Sequence, residues 1–224
     1  MDRRPNVQGP GAQSLTELAY LHLEEMIVTL KLAPGRVVSE FELAELTGIG
    51  RTPIREALQR LARERLVSIL PRRGIVVSEI NVGQQLRLLE TRRELERLIA
   101  RSAARRATDA ERARFRELVR DFEKSAKAND DVAFMRTDRE FNQLCSAAAH
   151  NDFAAGAMSL MHSLSRRFWY LHYKQAADMP VTAKLHADIA RAIADGDEER
   201  AAKASDRLLD NIEKFTRDTV GTDV

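Results

Sequence analysis

The chain has one cysteine, Cys145, in 224 residues. That excludes an intramolecular disulfide, and with no CxxC or Cys/His finger spacing it also excludes the common structural zinc modules. Inside "FNQLCSAAAH" the thiol reads as a small core residue. Aromatics make up 5%, and only ten Gly and six Pro stand among many Ala, Leu, Arg and Glu, a balance that favours helices and disfavours an all-β fold. No eighteen-residue apolar run occurs, so no membrane-spanning helix is expected. The opening residues, "MDRRPNVQGPGAQ", carry charge, Pro and Gly with no apolar run behind them. They read as a flexible arm over residues 1–13 of a cytoplasmic protein without a signal peptide. A GxSxG elbow, a P-loop, an HExxH pair and a glycine-rich dinucleotide turn are all missing, so no enzyme is expected. A charge excess is missing too: 36 Lys+Arg against 34 Asp+Glu leave a formal net charge of +2.

That evenness makes one departure from it informative. Between Arg51 and Gly74, seven arginines meet two acids, a local balance of 7 − 2 = +5. The surrounding pattern explains where this charge sits. Residues 14–30 carry apolar positions at helical spacing behind Ser14, with Glu17 three residues on, the capping-box pattern. "LAPGR" turns the chain, and Ser39 with Glu42 repeats the box before a short helix over 40–46 that "TGIG" stops. A third helix starts near Thr52, takes Pro53 in its first turn, and runs to about Arg65. Two helices around a Gly-containing turn make a helix-turn-helix. "LVSIL" and "GIVVSE", separated by "PRR", read as a two-stranded hairpin, or wing.

From about Asn81 the pattern is helical throughout, with helices expected at 82–106, 109–127, 131–149, 152–174, 178–195 and 197–219. The fold class is therefore mostly α: a winged helix-turn-helix over 14–78, then an all-α bundle of about six helices over 79–224. Residues 1–78 hold eleven Lys/Arg and nine Asp/Glu, and residues 79–224 hold twenty-five of each, so the bundle's ligand need not be polyanionic.

On the third helix Arg51, Arg55 and Gln59 fall four apart on one face, and Ile54, Ala57, Leu58 and Leu61 fall on the other. A helix packed on one side and cationic on the other suits the major groove, where arginine bonds guanine O6 and N7 bidentately. Thr52 near the helix start can hold a phosphate. Arg72 and Arg73 at the wing tip reach a phosphate or the minor groove, and Gly74 lets the backbone approach closely. A solvated arginine face is the alternative for any one of these residues. Their coincidence on the second helix of a helix-turn-helix followed by a basic hairpin favours DNA.

"LAPGRVVSEFELAELTGIGRTPIREALQRLARERLVSILPRRGIVV" resembles the winged helix-turn-helix of GntR-type bacterial transcription regulators, through its PG turn, capped short helix with LA, RTPxREAL and Gly-tipped wing. The helical remainder is similar to the FadR-type, or FCD, effector-binding domain of that family. The resemblance implies DNA contacts at Arg51, Thr52 and Arg55, with Gly74 and its neighbours at the wing. Phe41 stands where the family often has a further DNA-contacting arginine, and Arg65 where a helix-ending Gly is usual, which asks Arg65 to adopt a strained cap.

FCD domains resemble one another in holding a divalent metal such as Zn, Ni or Mn with an Asp and three His. In "DREFNQL" Asp138 matches the ligand position, but Asn142 stands where a His is usual; His186 matches a later ligand, and Leu208 occupies the last. The candidate metal set is thus Asp138, Asn142 and His186, and the alternative is that Asp138 and His186 bond one another or the effector directly. Arg92 matches the family's arginine directed at a carboxylate effector, with a salt bridge to Glu96 as the alternative. His162 and Arg166, one turn apart, are candidates for the same cavity. Trp169, Tyr170 and Tyr173 read as core or dimer interface. The resulting expectation is a ligand-responsive repressor, binding a double-stranded operator as a homodimer and a small organic acid in its bundle. A scaffold protein without an effector is the alternative, disfavoured because burying Arg92, Asp138, Asn142 and His186 without a ligand is costly.

Overall fold

The computed structural model describes residues 14–176 and 178–219; the arm expected at 1–13 lies outside them. The chain divides into two compact units after Glu79.

The first unit begins with α1, Leu15–Val28, whose Ser14 hydroxyl accepts from the Glu17 amide at 3.1 Å. Strand β1 is Val37–Val38, and α2, Glu40–Thr47, starts on Ser39, which accepts from the Glu42 amide at 3.1 Å. Each cap satisfies an otherwise orphaned amide and is worth about 1 kcal/mol. The reciprocal half expected of both capping boxes is replaced, because Glu17 pairs with Arg60 and Glu42 with Arg36. Gly48, at φ 68°, ends α2, and α3, Arg51–Arg63, follows. Ala19, Leu23 and Ile27 of α1 and Ile54, Ala57, Leu58 and Leu61 of α3 are each 2% exposed or less. These are the apolar stripes the periodicity marked, and α1 packs on α3 through them.

The wing hairpin is β2, Val67–Leu70, with β3, Gly74–Val77, and it gains a strand the sequence reading lacked. β1 pairs antiparallel with β3 through Val37 to Val76 and Val38 to Ile75, giving the sheet order β1-β3-β2. Gly74 makes this possible: at φ 99°, a Cβ there would sit 2.9 Å from the Val38 carbonyl oxygen.

The second unit contains α4 (Val82–Arg106), α5 (Asp109–Ala128), α6 (Asp131–Ala148), α7 (Asp152–Ser159), α8 (His162–Ala176), α9 (Met179–Asp195) and α10 (Glu198–Asp218). The single helix expected over 152–174 is two helices, α7 and α8. Gly156 is a weak helix former, and its carbonyl accepts from the Ser159 hydroxyl at 2.8 Å, the local competition that disfavours Ser inside helices. A complete capping box does occur at Thr108 and Glu111. Helix α9 is the hub, packing on α4, α5 and α10; Ala183, Ala187, Ala190 and Ala194 are buried along it and permit close approach. Arg112 closes two helix ends, donating to Ala104 O at 2.8 Å, Ala107 O at 3.1 Å and Ile193 O at 2.8 Å, where a cation meets the negative dipole end.

Candidate functional site

In the first unit the exposed face of α3 begins at its N-terminus. Arg51, Thr52, Arg55 and Gln59 are exposed while Ile54, Ala57 and Leu58 are buried. Arg72 and Arg73 are exposed at the wing tip, where Arg72 takes φ 63° after Pro71 and the Arg73 amide bonds Leu70 O at 3.0 Å. That is the pattern of a type II turn with arginine in the place usually given to Gly.

The sequence reading missed Glu40. It accepts from Arg55 Nε at 2.8 Å and Nη2 at 2.7 Å, and its carboxylate lies 3.7 Å from Arg51 Nη2. The hydrogen bond from Arg55 and the two arginine charges hold the Glu40 carboxyl below its ordinary range. Fifteen residues separate the partners, so no helical spacing announces the pair. Arg60, also on α3, has a specific structural partner set. It bonds Glu17 at 3.0 Å and Glu64 at 3.2 Å and lies over the Tyr20 ring at 3.5 Å, while Tyr20 donates to Glu64 at 2.9 Å. This network ties α1 to α3. Arg65 takes φ 59° at the end of α3, with Leu66 N bonded to Leu61 O at 2.9 Å and Arg65 N to Ala62 O at 3.0 Å, a Schellman motif built on a residue with a Cβ.

In the second unit one cavity, enclosing about 460 Å³ of empty space with its open mouth, has Arg92, Asp138, Asn142, His162, Arg166 and His186 all in its wall. They come from α4, α6, α8 and α9. Phe134, Trp169 and Ile212 add apolar surface, and Ser165 and Thr182 add polar groups. Leu208, at 2% exposed, is buried outside that wall.

Asp138 is the electrostatic centre. Its Oδ1 lies 3.1 Å from His186 Nε2 and accepts from Asn142 Nδ2 at 3.1 Å, and its Oδ2 is 3.2 Å from Arg166 Nε. Burial alone would raise this carboxyl, but the His186 hydrogen bond and the Arg166 charge outweigh burial and hold it below its ordinary value. His186 Nδ1 faces Thr182 O at 2.8 Å, and the ring is surrounded by Phe122, Phe134 and Phe141 at 5.1, 5.7 and 5.5 Å between centroids. Arg166 Nη2 donates to Met135 O at 3.1 Å. Burial, aided by Arg92, pulls His162 down to about 3, so its imidazole is neutral at neutral pH. Arg92 is 6% exposed. Its Nε donates to Glu96 at 2.7 Å and its Nη1 to Ser165. Ser165 also accepts from Gln85 at 2.8 Å. Cys145 is buried, and burial pushes its thiol well up, so it is not a reactive nucleophile.

The residues do not fit the family's metal. Among the described residues no three His, Cys, Asp or Glu come together as a ligand set. Asn142 presents its amide nitrogen, a donor, to Asp138. Arg166 stands in ion-pair reach of the carboxylate, where a dication would meet a like charge.

Residues 15–77 match the family model described as "Bacterial regulatory proteins, gntR family", and residues 87–211 match the FCD domain. The chain is 25% identical over 205 residues to the HTH-type transcriptional repressor RspR of Escherichia coli K12, covering 92% of this chain and 90% of that protein. It is 27% identical over 177 residues to the Nta operon transcriptional regulator of Aminobacter aminovorans, covering 79% and 82%. Among solved structures it is similar to E. coli McbR/YncC, with a TM-score of 0.80 and 19% identity over 93% of this chain and 100% of that one.

Proposed function

Because this chain belongs to the GntR family of bacterial regulatory proteins and carries an FCD domain, we propose that this transcription regulator is a homodimeric, cytoplasmic repressor that leaves its operator when a small carboxylate enters the FCD cavity. The DNA-binding part is residues 14–78 and the effector-binding and dimerisation part is residues 79–224. Arg51, Thr52, Arg55 and Gln59 enter the major groove, and Arg72, Arg73 and Gly74 lie along the adjacent backbone or minor groove. A single recognition helix reads few base pairs, so two copies related by a twofold axis read a pseudo-palindrome. The effector contacts are Arg92, Asp138, Asn142, His162, Arg166 and His186. The observation that carries this reading is their convergence on one cavity whose exposed lining is mostly apolar, the usual build of a small-ligand site. Regulation follows if the effector prefers a state in which the two heads no longer match successive grooves.

Selection from random duplex DNA is expected to return a palindrome with half-sites one helical turn, or a multiple of it, apart. Arg55→Ala is expected to weaken binding to that site about 5- to 150-fold at fixed salt, the worth of one bidentate base contact. Equal affinity would mean that the recognition helix is misplaced. An Arg92→Ala chain that still releases DNA at the wild-type effector concentration would sink the carboxylate contact.

A further inference from the structure

We infer that Arg166 is the built-in cation of the FCD cavity, so that this regulator senses its effector without a metal ion. The argument starts at Asp138. A buried carboxylate needs compensation, and here both oxygens receive it from the chain itself: Oδ2 from Arg166 Nε at 3.2 Å, and Oδ1 from His186 Nε2 and Asn142 Nδ2, each at 3.1 Å. Arg166 is held in place independently of Asp138 by the Met135 carbonyl at 3.1 Å. A guanidinium is charged at every physiological pH, so at ion-pair distance it compensates Asp138 permanently by its charge. The substitutions agree with one another. Asn142 supplies a donor amide where the family places an imidazole, Leu208 supplies no ligand, and Arg166 supplies the charge that those positions no longer bring in with a metal.

The consequence concerns the ligand class and rests on the proposed reading of this cavity as the effector site. An arginine on Asp138 offers no open coordination positions. The cavity therefore selects a monocarboxylate held by hydrogen bonds, its body against Phe134, Trp169 and Ile212, over a polycarboxylate or hydroxy acid that binds by chelation.

The test uses the untagged full-length chain and needs neither effector nor operator, so it succeeds or fails independently of the proposed function. After desalting, plasma mass spectrometry is expected to find well under a tenth of an equivalent of Zn, Ni or Mn. The melting temperature is expected to shift by less than about 1 °C with EDTA or with excess zinc, nickel or manganese chloride. Asn142→His combined with Arg166→Ala removes the guanidinium and adds an imidazole beside Asp138 and His186; the same metals are expected to raise its melting temperature by about 5–10 °C. Stoichiometric metal in the wild type, or an EDTA-dependent melting temperature, overturns the inference even if the double variant does not fold. A folded double variant that takes up no more metal than the wild type overturns the assignment of Arg166.

Discussion

Glu40→Gln keeps the size of the side chain and removes its charge, and its effect on DNA discrimination follows from the geometry of α3. A guanidinium has five N–H donors. Glu40 takes one on Nε and one on Nη2 of Arg55, at 2.8 and 2.7 Å. The remaining donors, on Nη1 and the outer side of Nη2, are the pair needed for an end-on bidentate contact to a guanine. Glu40 therefore aims Arg55 without using up its reading edge. Ordering an arginine side chain costs about 2 kcal/mol of rotamer freedom, and an exposed ion pair recovers about 0.2–1 kcal/mol of that before DNA arrives. The Arg55 side chain is 60% exposed, so the upper end of that range, about 5-fold in Kd, is the most Glu40 can contribute to operator recognition. The opposing effect is not sequence-specific: a carboxylate facing phosphates weakens binding to every duplex. Glu40→Gln is thus expected to tighten binding to random duplex while lowering the ratio of random to operator Kd about 3- to 5-fold. Fluorescence anisotropy at one fixed salt concentration measures both, and a salt titration should show a steeper slope by up to about 0.9 if Arg55 moves to a phosphate. If both affinities rise together and the ratio stays constant, Glu40 is only an electrostatic brake and the positioning argument is wrong.

Two further outcomes concern stability. Arg65 occupies a left-handed cap at φ 59°, where a Cβ costs about 1 kcal/mol; Arg65→Gly is expected to raise the urea midpoint of the first unit's transition without changing its slope, and a lowered midpoint would show that the side chain contributes more than the strain costs. His162 titrates near 3 when folded and near 6.5 when unfolded, so the unfolded chain binds the extra proton between those values and stability falls as pH drops through that window. The slope from this group alone is up to about 1.4 kcal/mol per pH unit, and His162→Asn is expected to flatten it; an unchanged slope in urea titrations between pH 4 and about 6.5 would place His162 in a more solvated setting than the cavity wall.

Element by element, what the sequence disclosed depends on how local its cause is. Ser14 and Ser39 sit directly before the helices they cap, and the apolar stripe of α3 repeats within one helix, so both were legible as spacing. β1 was not, because two residues carry no period and Val37–Val38 is a strand only by pairing with β3, almost forty residues away. The break between α7 and α8 was hidden for the opposite reason: it is a tight turn, with Met161 N bonded to Met158 O at 3.0 Å, within a stretch whose apolar period continues unbroken. In the cavity, Arg92, Asp138, Asn142, His162, Arg166 and His186 were reached partly through resemblance, since nothing in their separations brings α4, α6, α8 and α9 together. Gln85 and Ser165 escaped notice because one polar residue on an amphipathic helix looks like its solvent face; only the bond between them shows that it is not. The same logic reverses the meaning of the missing histidines. Read as positions, Asn142 and Leu208 are losses from a ligand set. Once Arg166 is found 3.2 Å from Asp138, they are the expected companions of a carboxylate already neutralised by its own chain, because an imidazole kept there would have no ion to hold.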